Sequence, residues 1–140
     1  MTHELNKGEN VTIMNGYQCY LKRMAKLIPM EVRASKEHGF NLGIKLIRGA
    51  YMNEERTLAA EEQVESPVWD TIEDTHTCYN GAMEHIIRNM REGQDMLFVA
   101  SHNTDTCDLA MELTEEHGLK DCVRFGQLKG FSDQVTGSIA

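Results

Sequence analysis

The sequence predicts an α/β protein with a parallel sheet, a partial (β/α)8 (TIM-like) barrel of about four βα units. Three observations carry that prediction. Four short apolar runs recur along the 140 residues, each closed at its carboxyl end by polar residues, as strands of a buried parallel sheet read. Helix-spaced apolar stripes separate these runs without any hairpin signal, so consecutive strands need crossover connections. The alternative, a doubly wound open sheet, would be helped by a glycine-rich phosphate turn, and neither G-x-G-x-x-G nor G-x-x-x-x-G-K-[ST] occurs. Candidate functional residues at the ends of several strands are the barrel habit, and four units are close to half of a complete barrel of about 250 residues.

The first strand, Val11-Thr-Ile-Met-Asn-Gly-Tyr-Gln18, is the weakest copy of the pattern. Residues 20–37 carry Leu21, Met24, Ala25, Leu27, Ile28 and Val32 at roughly helical spacing, and Pro29 predicts a kink or a break. His38-Gly39 stops that helix, glycine being favoured just past a helix end. The second strand covers residues 42–47 and runs into Arg48-Gly-Ala-Tyr51. A short Ala/Glu-rich helix over residues 53–64 ends before the break at Ser66-Pro67. From Asp70 a long helix carries Ile72, Thr75, Tyr79, Met83, Ile86, Ile87 and Met90 and ends near Gly93. Asp95-Met-Leu-Phe-Val-Ala-Ser-His-Asn103 is the third strand, after which Asn103 or Thr104 caps a helix running past Leu109, Ala110, Leu113 and His117 to Gly118. The fourth strand lies in Cys122-Val-Arg-Phe-Gly-Gln-Leu128, and a further helix is expected to start at Ser132.

Composition narrows the function classes. A hydrophobic fraction of 41% over 140 residues suits a single globular domain or part of one. The net charge of -8, from 22 acidic against 14 basic residues without a Lys/Arg cluster, argues against nucleic acid as a partner. No apolar run approaches the roughly 20 residues that cross a bilayer, and the first residues show no targeting pattern. Cys19, Cys78, Cys107 and Cys122 are widely spaced and lack C-x-x-C pairing, which favours reduced thiols, three of them in the core, over a disulfide framework or a metal site.

The chemistry concentrates where strands end. In Gly43-Ile-Lys-Leu-Ile-Arg-Gly-Ala-Tyr51 an apolar pattern closes on a cation, two small residues and a phenol. Arg48 brings a permanent charge with forked donors, Gly49 and Ala50 admit a flat ligand to the backbone, and Tyr51 adds a ring and a hydroxyl. A surface Arg followed by a turn Gly would look the same in isolation. The recurrence of the pattern at Gln18, at Ser101, His102 and Asn103, and at Gln127 favours the ligand reading.

On four motifs, Tyr17-Gln-Cys-Tyr-Leu-Lys22, Lys45-Leu-Ile-Arg-Gly-Ala-Tyr51, Ala100-Ser-His-Asn103 and Arg124-Phe-Gly-Gln-Leu128, the chain resembles proline dehydrogenase (proline oxidase) of the eukaryotic mitochondrial type. The motifs stand in the family's order and span nearly the whole chain. The resemblance implies a distorted (β/α)8 barrel of which residues 1–140 are a C-terminal-half portion, about the fourth to seventh strands. It implies FAD-dependent oxidation of L-proline to Δ1-pyrroline-5-carboxylate, with quinone as electron acceptor, in the mitochondrion. Peripheral membrane association of the full-length protein is compatible with it.

The resemblance also assigns residues. Gln18, Arg48, Gly49, Ala50, Ser101 and His102 match cofactor-binding positions, and Ala50, Tyr51 and Leu128 match the proline pocket. Lys45 matches the catalytic cation near the flavin, where it would stabilise the negative charge that develops as hydride arrives. From the residues alone, Lys45 could be a snorkelling strand lysine, His102 a cap neighbour, and Leu128 simple packing. Lys129 and Phe131 depart from the Leu and Met more usual after the seventh strand, which puts the local pocket shape in doubt. The family's paired arginines on the eighth helix, a lysine on the first strand and an acidic residue on an earlier strand match nothing in this sequence. The isolated chain is therefore expected to be inactive alone, and a second reading makes it a non-catalytic product that acts only by associating with another chain.

Overall fold

The computed structural model describes residues 2–8, 10–49 and 52–126, and the elements alternate as the periodicity predicts. In chain order they are α1 (Thr2–Leu5), β1 (Asn15–Gln18), α2 (Met24–His38), β2 (Gly43–Ile47), α3 (Met52–Glu61), α4 (Ile72–Asn89), β3 (Met96–Ala100), α5 (Thr104–Glu116) and β4 (Val123–Gly126). The four strands pair in sequence order, each with the next and all in parallel. This is the α/β class expected, four consecutive βα-type strands of a TIM-like barrel.

The register sorts the side chains into two rows. Tyr17, Leu46, Val99 and Phe125 stand opposite one another on the helix-covered face, with Tyr17, Leu46 and Val99 fully or nearly buried. Gly16, Lys45, Phe98 and Arg124 form the matching row on the other face, where Lys45 and Arg124 are exposed. Among the described residues, the long helices α2, α4 and α5 pack on one face of the sheet. Their buried stripes are Met24, Ile28 and Val32 on α2, Tyr79, Met83, Ile86 and Ile87 on α4, and Cys107, Ala110 and Leu113 on α5, all at helical spacing.

Helix ends follow backbone chemistry. Gly39, Gly93 and Gly118 all take positive φ, at 69°, 74° and 67°, as chain reversals after helices require. Thr71 caps α4 by accepting from Asp74 N at 3.1 Å, and Asn103 caps α5 by accepting from Thr106 N at 3.0 Å.

The structure corrects four sequence expectations. The first strand is four residues long, because the segment before it is held as a loop by Asn6, whose Oδ1 accepts from Thr12 N and Ile13 N. Pro29 breaks nothing: α2 runs through it, and the hydrogen bond it forgoes lies near the helix start, where Ala25 is exposed to water. Ala25 and Leu27 are exposed rather than in the helix stripe. The short helix stops at Glu61, and Gln63 with φ 58° turns the chain away. The expected helix start at Ser132 lies outside the described residues.

At the amino ends of β2 and β3, a buried carboxylate organises the turn. The Asp95 side chain accepts from Leu42 N and Arg91 N, both at 2.8 Å, and pairs with the Arg91 guanidinium at 2.9 Å. Arg91 also donates to Phe40 O at 2.7 Å. This clamp fixes the strand pair at the end opposite the candidate site.

Candidate functional site

The carboxyl ends of β2, β3 and β4 frame a cavity of about 580 Å³, a size that suits a small-molecule ligand. Lys45, Ile47, Phe98 and Ala100 form its sheet side, and Arg48, Gly49, Ser101, His102 and Asn103 form its rim. Strand alternation puts Lys45 and Arg48 on opposite faces, since they are three residues apart. Lys45 therefore projects from the open face, its ammonium 5.5 Å from the centre of the Phe98 ring.

Arg48 turns under the strand ends into a polar cage. Its Nε donates to His76 Nδ1 at 2.8 Å, one terminal nitrogen donates to Ser101 Oγ at 2.6 Å and the other to Thr106 Oγ1 at 2.8 Å. The Tyr79 ring lies 4.2 Å from the guanidinium carbon, and Thr106 passes its own proton to Asn80 Oδ1 at 2.8 Å. Among the described residues none of these partners is a carboxylate, and burial works against the charge, lowering the Arg48 pKa. Because Nδ1 of His76 accepts from Arg48, the imidazole proton sits on Nε2. Tyr79 ties the two central strands together, its hydroxyl hydrogen shared between Leu46 O at 3.2 Å and Ala100 O at 3.1 Å. Burial pushes its phenol pKa up, so it remains a donor across the ordinary pH range.

Gly49 is where the backbone must come close. It has φ 143°, and a Cβ there would run into the Tyr20 ring. Gly126 repeats the constraint on β4, where a Cβ would meet the Phe98 ring. Ser101 is buried and accepts from both Arg48 and Asn103 N, leaving its hydroxyl hydrogen to donate.

Of the residues singled out from sequence, Lys45, Arg48, Gly49, Ser101 and His102 are brought to this one cavity. Gln18 stands beside Ile47 at the end of β1, half-buried and outside the cavity lining. Ala50, Tyr51 and Leu128, with Gln127, Lys129 and Phe131, lie outside the described residues. His76, Tyr79, Asn80 and Thr106 were missed by sequence reasoning. The signal was present in the spacing 76, 79 and 80 on α4, which puts three polar-capable side chains on one helix face at the strand ends.

A family model described as proline dehydrogenase matches residues 1–140. The chain is 36% identical to proline dehydrogenase 1, mitochondrial, of Homo sapiens, covering 97% of this chain and 24% of the human protein. It is 35% identical to proline dehydrogenase 2, mitochondrial, of Arabidopsis thaliana, covering 89% of this chain and 27% of that protein. Among solved structures, proline utilization A from Bdellovibrio bacteriovorus, inactivated by N-propargylglycine, superposes with a TM-score of 0.84 at 20% identity. That superposition covers 99% of this chain and 15% of the bacterial one. The chain thus spans about a quarter of the length of the curated relatives it matches.

Proposed function

The chain belongs to the proline dehydrogenase family, and from that premise we propose that it builds part of a flavin site in a barrel that oxidises L-proline to Δ1-pyrroline-5-carboxylate. Residues 1–140 then form part of the barrel's C-terminal half. The observation that carries this reading is the convergence of Lys45, Arg48, Gly49, Ser101 and His102 on one cavity at the carboxyl ends of the strands.

The donor set fits FAD. An apolar wall of Ile47, Phe98 and Ala100 suits a flat ring system, Gly49 admits it close to the backbone, and Lys45, Ser101 and His102 supply polar contacts at the edge. When bound, the flavin would supply the hydride acceptor for oxidation of the proline Cδ–N bond. Lys45 holds positive charge on the open face without a carboxylate to quench it among its described contacts. Arg48 acts behind the rim, orienting Ser101 and His76 toward the cavity. Gln18 adds an amide at the neighbouring strand end. Ala50, Tyr51 and Leu128 are assigned to the proline pocket by the family motif alone. The names of the human and plant relatives support a mitochondrial location, and quinone is the proposed acceptor, with peripheral membrane association of the full-length protein.

The test is proline-dependent bleaching of the flavin in the full-length protein. Lys45→Ala should slow the rate per bound flavin by about 10²-fold to 10³-fold, and Lys45→Arg should restore most of it. An unimpaired Lys45→Ala enzyme would remove Lys45 from the chemistry. The isolated 140-residue chain, spanning about a quarter of the relatives, is expected to take up little flavin.

One observation supports the second reading, a non-catalytic chain that acts by association. Among the described strands β1 and β4 each pair on one side only, and the sheet's open face carries Phe98 beside exposed Lys45 and Arg124. A complex that forms stoichiometrically with another chain but shows no proline-dependent bleaching would favour it.

A further inference from the structure

A second groove, of about 440 Å³, opens between α2 and α4 and shares no lining residue with the strand-end cavity. Met24, Pro29, Trp69, Cys78 and Ala82 make its walls largely apolar. Behind it lies a second thiol. Cys19 follows β1 immediately, is fully buried, and is fixed by its own N–H to Ile47 O at 2.8 Å and by the Trp69 indole N–H to its carbonyl at 3.1 Å. Trp69 is strapped in place by its backbone N–H to Tyr20 O at 3.0 Å and by the neighbouring bond from Lys22 N to Pro67 O at 2.9 Å.

Within this frame the Cys19 and Cys78 thiols lie within interaction reach of each other, with the Trp69 indole beside them. We propose that Cys78 is a modification site, a nucleophilic thiol on the α2–α4 groove that is oxidised by hydroperoxides, with Cys19 as the resolving thiol that closes a disulfide. The half-buried Cys78 is open to a small oxidant through the groove, whereas Cys107 and Cys122 are buried and Cys107 is engaged with Ser101 O. The neighbouring Cys19 thiol, helped by the nearby Trp69 indole dipole, favours the Cys78 thiolate, bringing its pKa to about 7. The same contact, with burial, keeps Cys19 protonated.

The chemistry balances with a hydroperoxide as the sole oxidant. The Cys78 thiolate attacks the O–O bond; an S–O bond forms, and the leaving hydroxide or alkoxide takes up a proton. The Cys19 sulfur then attacks the resulting sulfenic sulfur, forming the S–S bond and breaking S–O, while its proton leaves with the hydroxyl as water. Two thiols supply two electrons and the peroxide is reduced. Arg48 lies near enough for its charge to favour ionisation of Cys19 in the second step.

The full-length protein is treated with iodoacetamide across pH 5–10, and labelling of Cys19, Cys78, Cys107 and Cys122 is followed by mass spectrometry. Cys78 should label first with a midpoint near 7, moved upward in Cys19→Ala and kept low in Cys19→Ser, which retains a donor. A midpoint unchanged by Cys19→Ala, or faster labelling of another cysteine, overturns the proposal. With hydrogen peroxide in slight excess, a loss of two hydrogens and a Cys19–Cys78 bridged peptide are expected, and Cys78→Ser should leave Cys19 reduced. Oxidation of Cys78 to sulfinate with Cys19 untouched, or bridges between chains only, also overturns it.

Discussion

At the scale of single residues, the energetics centre on Arg48 and Gly49. Arg48→Met removes three hydrogen bonds from a charged donor and leaves His76 Nδ1 and Thr106 Oγ1 without that donor, so stability should fall by about 2–4 kcal/mol in urea titrations. Gly49→Ala must place a methyl into the Tyr20 ring at φ 143°, and a loss of about 2–4 kcal/mol is expected from the same measurement. The thiols give the stability a pH signature. Cys78 ionises near 7 in the folded protein against an ordinary 9.0, so between these values the unfolded chain binds more protons and stability rises with pH. That contribution is lost as pH falls through 7. Above 9 the sign reverses, because Cys19, Tyr17 and Tyr79 resist ionisation in the fold and ionise freely once unfolded. Unfolding midpoints of Cys78→Ser and the parent, compared from pH 6 to 9, should diverge steadily with the parent gaining.

At the scale of elements, what the sequence made legible was punctuation and period. Glycines 39, 93 and 118 marked chain reversals because only a residue without Cβ adopts their positive φ cheaply, and Asn103 marked a cap because its short amide reaches a first-turn N–H of α5. Pro29 misled, since proline's cost depends on which carbonyl is left unpaired, and that depends on where the helix starts. The two caps separate structure from function. Thr71→Ala should cost about 1 kcal/mol in thermal unfolding and leave ligand binding alone. Asn103→Ala should cost a similar amount but also weaken flavin binding in the full-length protein, because Asn103 both caps α5 and lines the cavity.

At the scale of the whole molecule, the described helices pack on one face of the sheet, and the other face presents the row Gly16, Lys45, Phe98 and Arg124, with Lys45 and Arg124 exposed. Such a face invites association, so the isolated chain should elute from size exclusion at an apparent mass that rises with concentration, and a monomer at all concentrations would count against the association reading. By itself the sequence determined the alternation of strands and helices, the carboxyl-end position of the chemistry and the family, because hydrophobic period and local motifs are written in neighbouring residues. Only the tertiary structure decided which way each cation faces. Lys45 and Arg48 look alike in one dimension, yet the pleat sends one to the open face and the other into a cage built by His76 and Thr106 from two separate helices. Tyr79 read as a member of a helix stripe and Thr106 was not singled out at all, and their polar atoms acquired partners only when α4 and α5 packed against the sheet. Contacts between residues tens of positions apart have no local signal, which is why the meeting of Cys19 with Cys78, like the Arg48 cage, could be seen only in the fold.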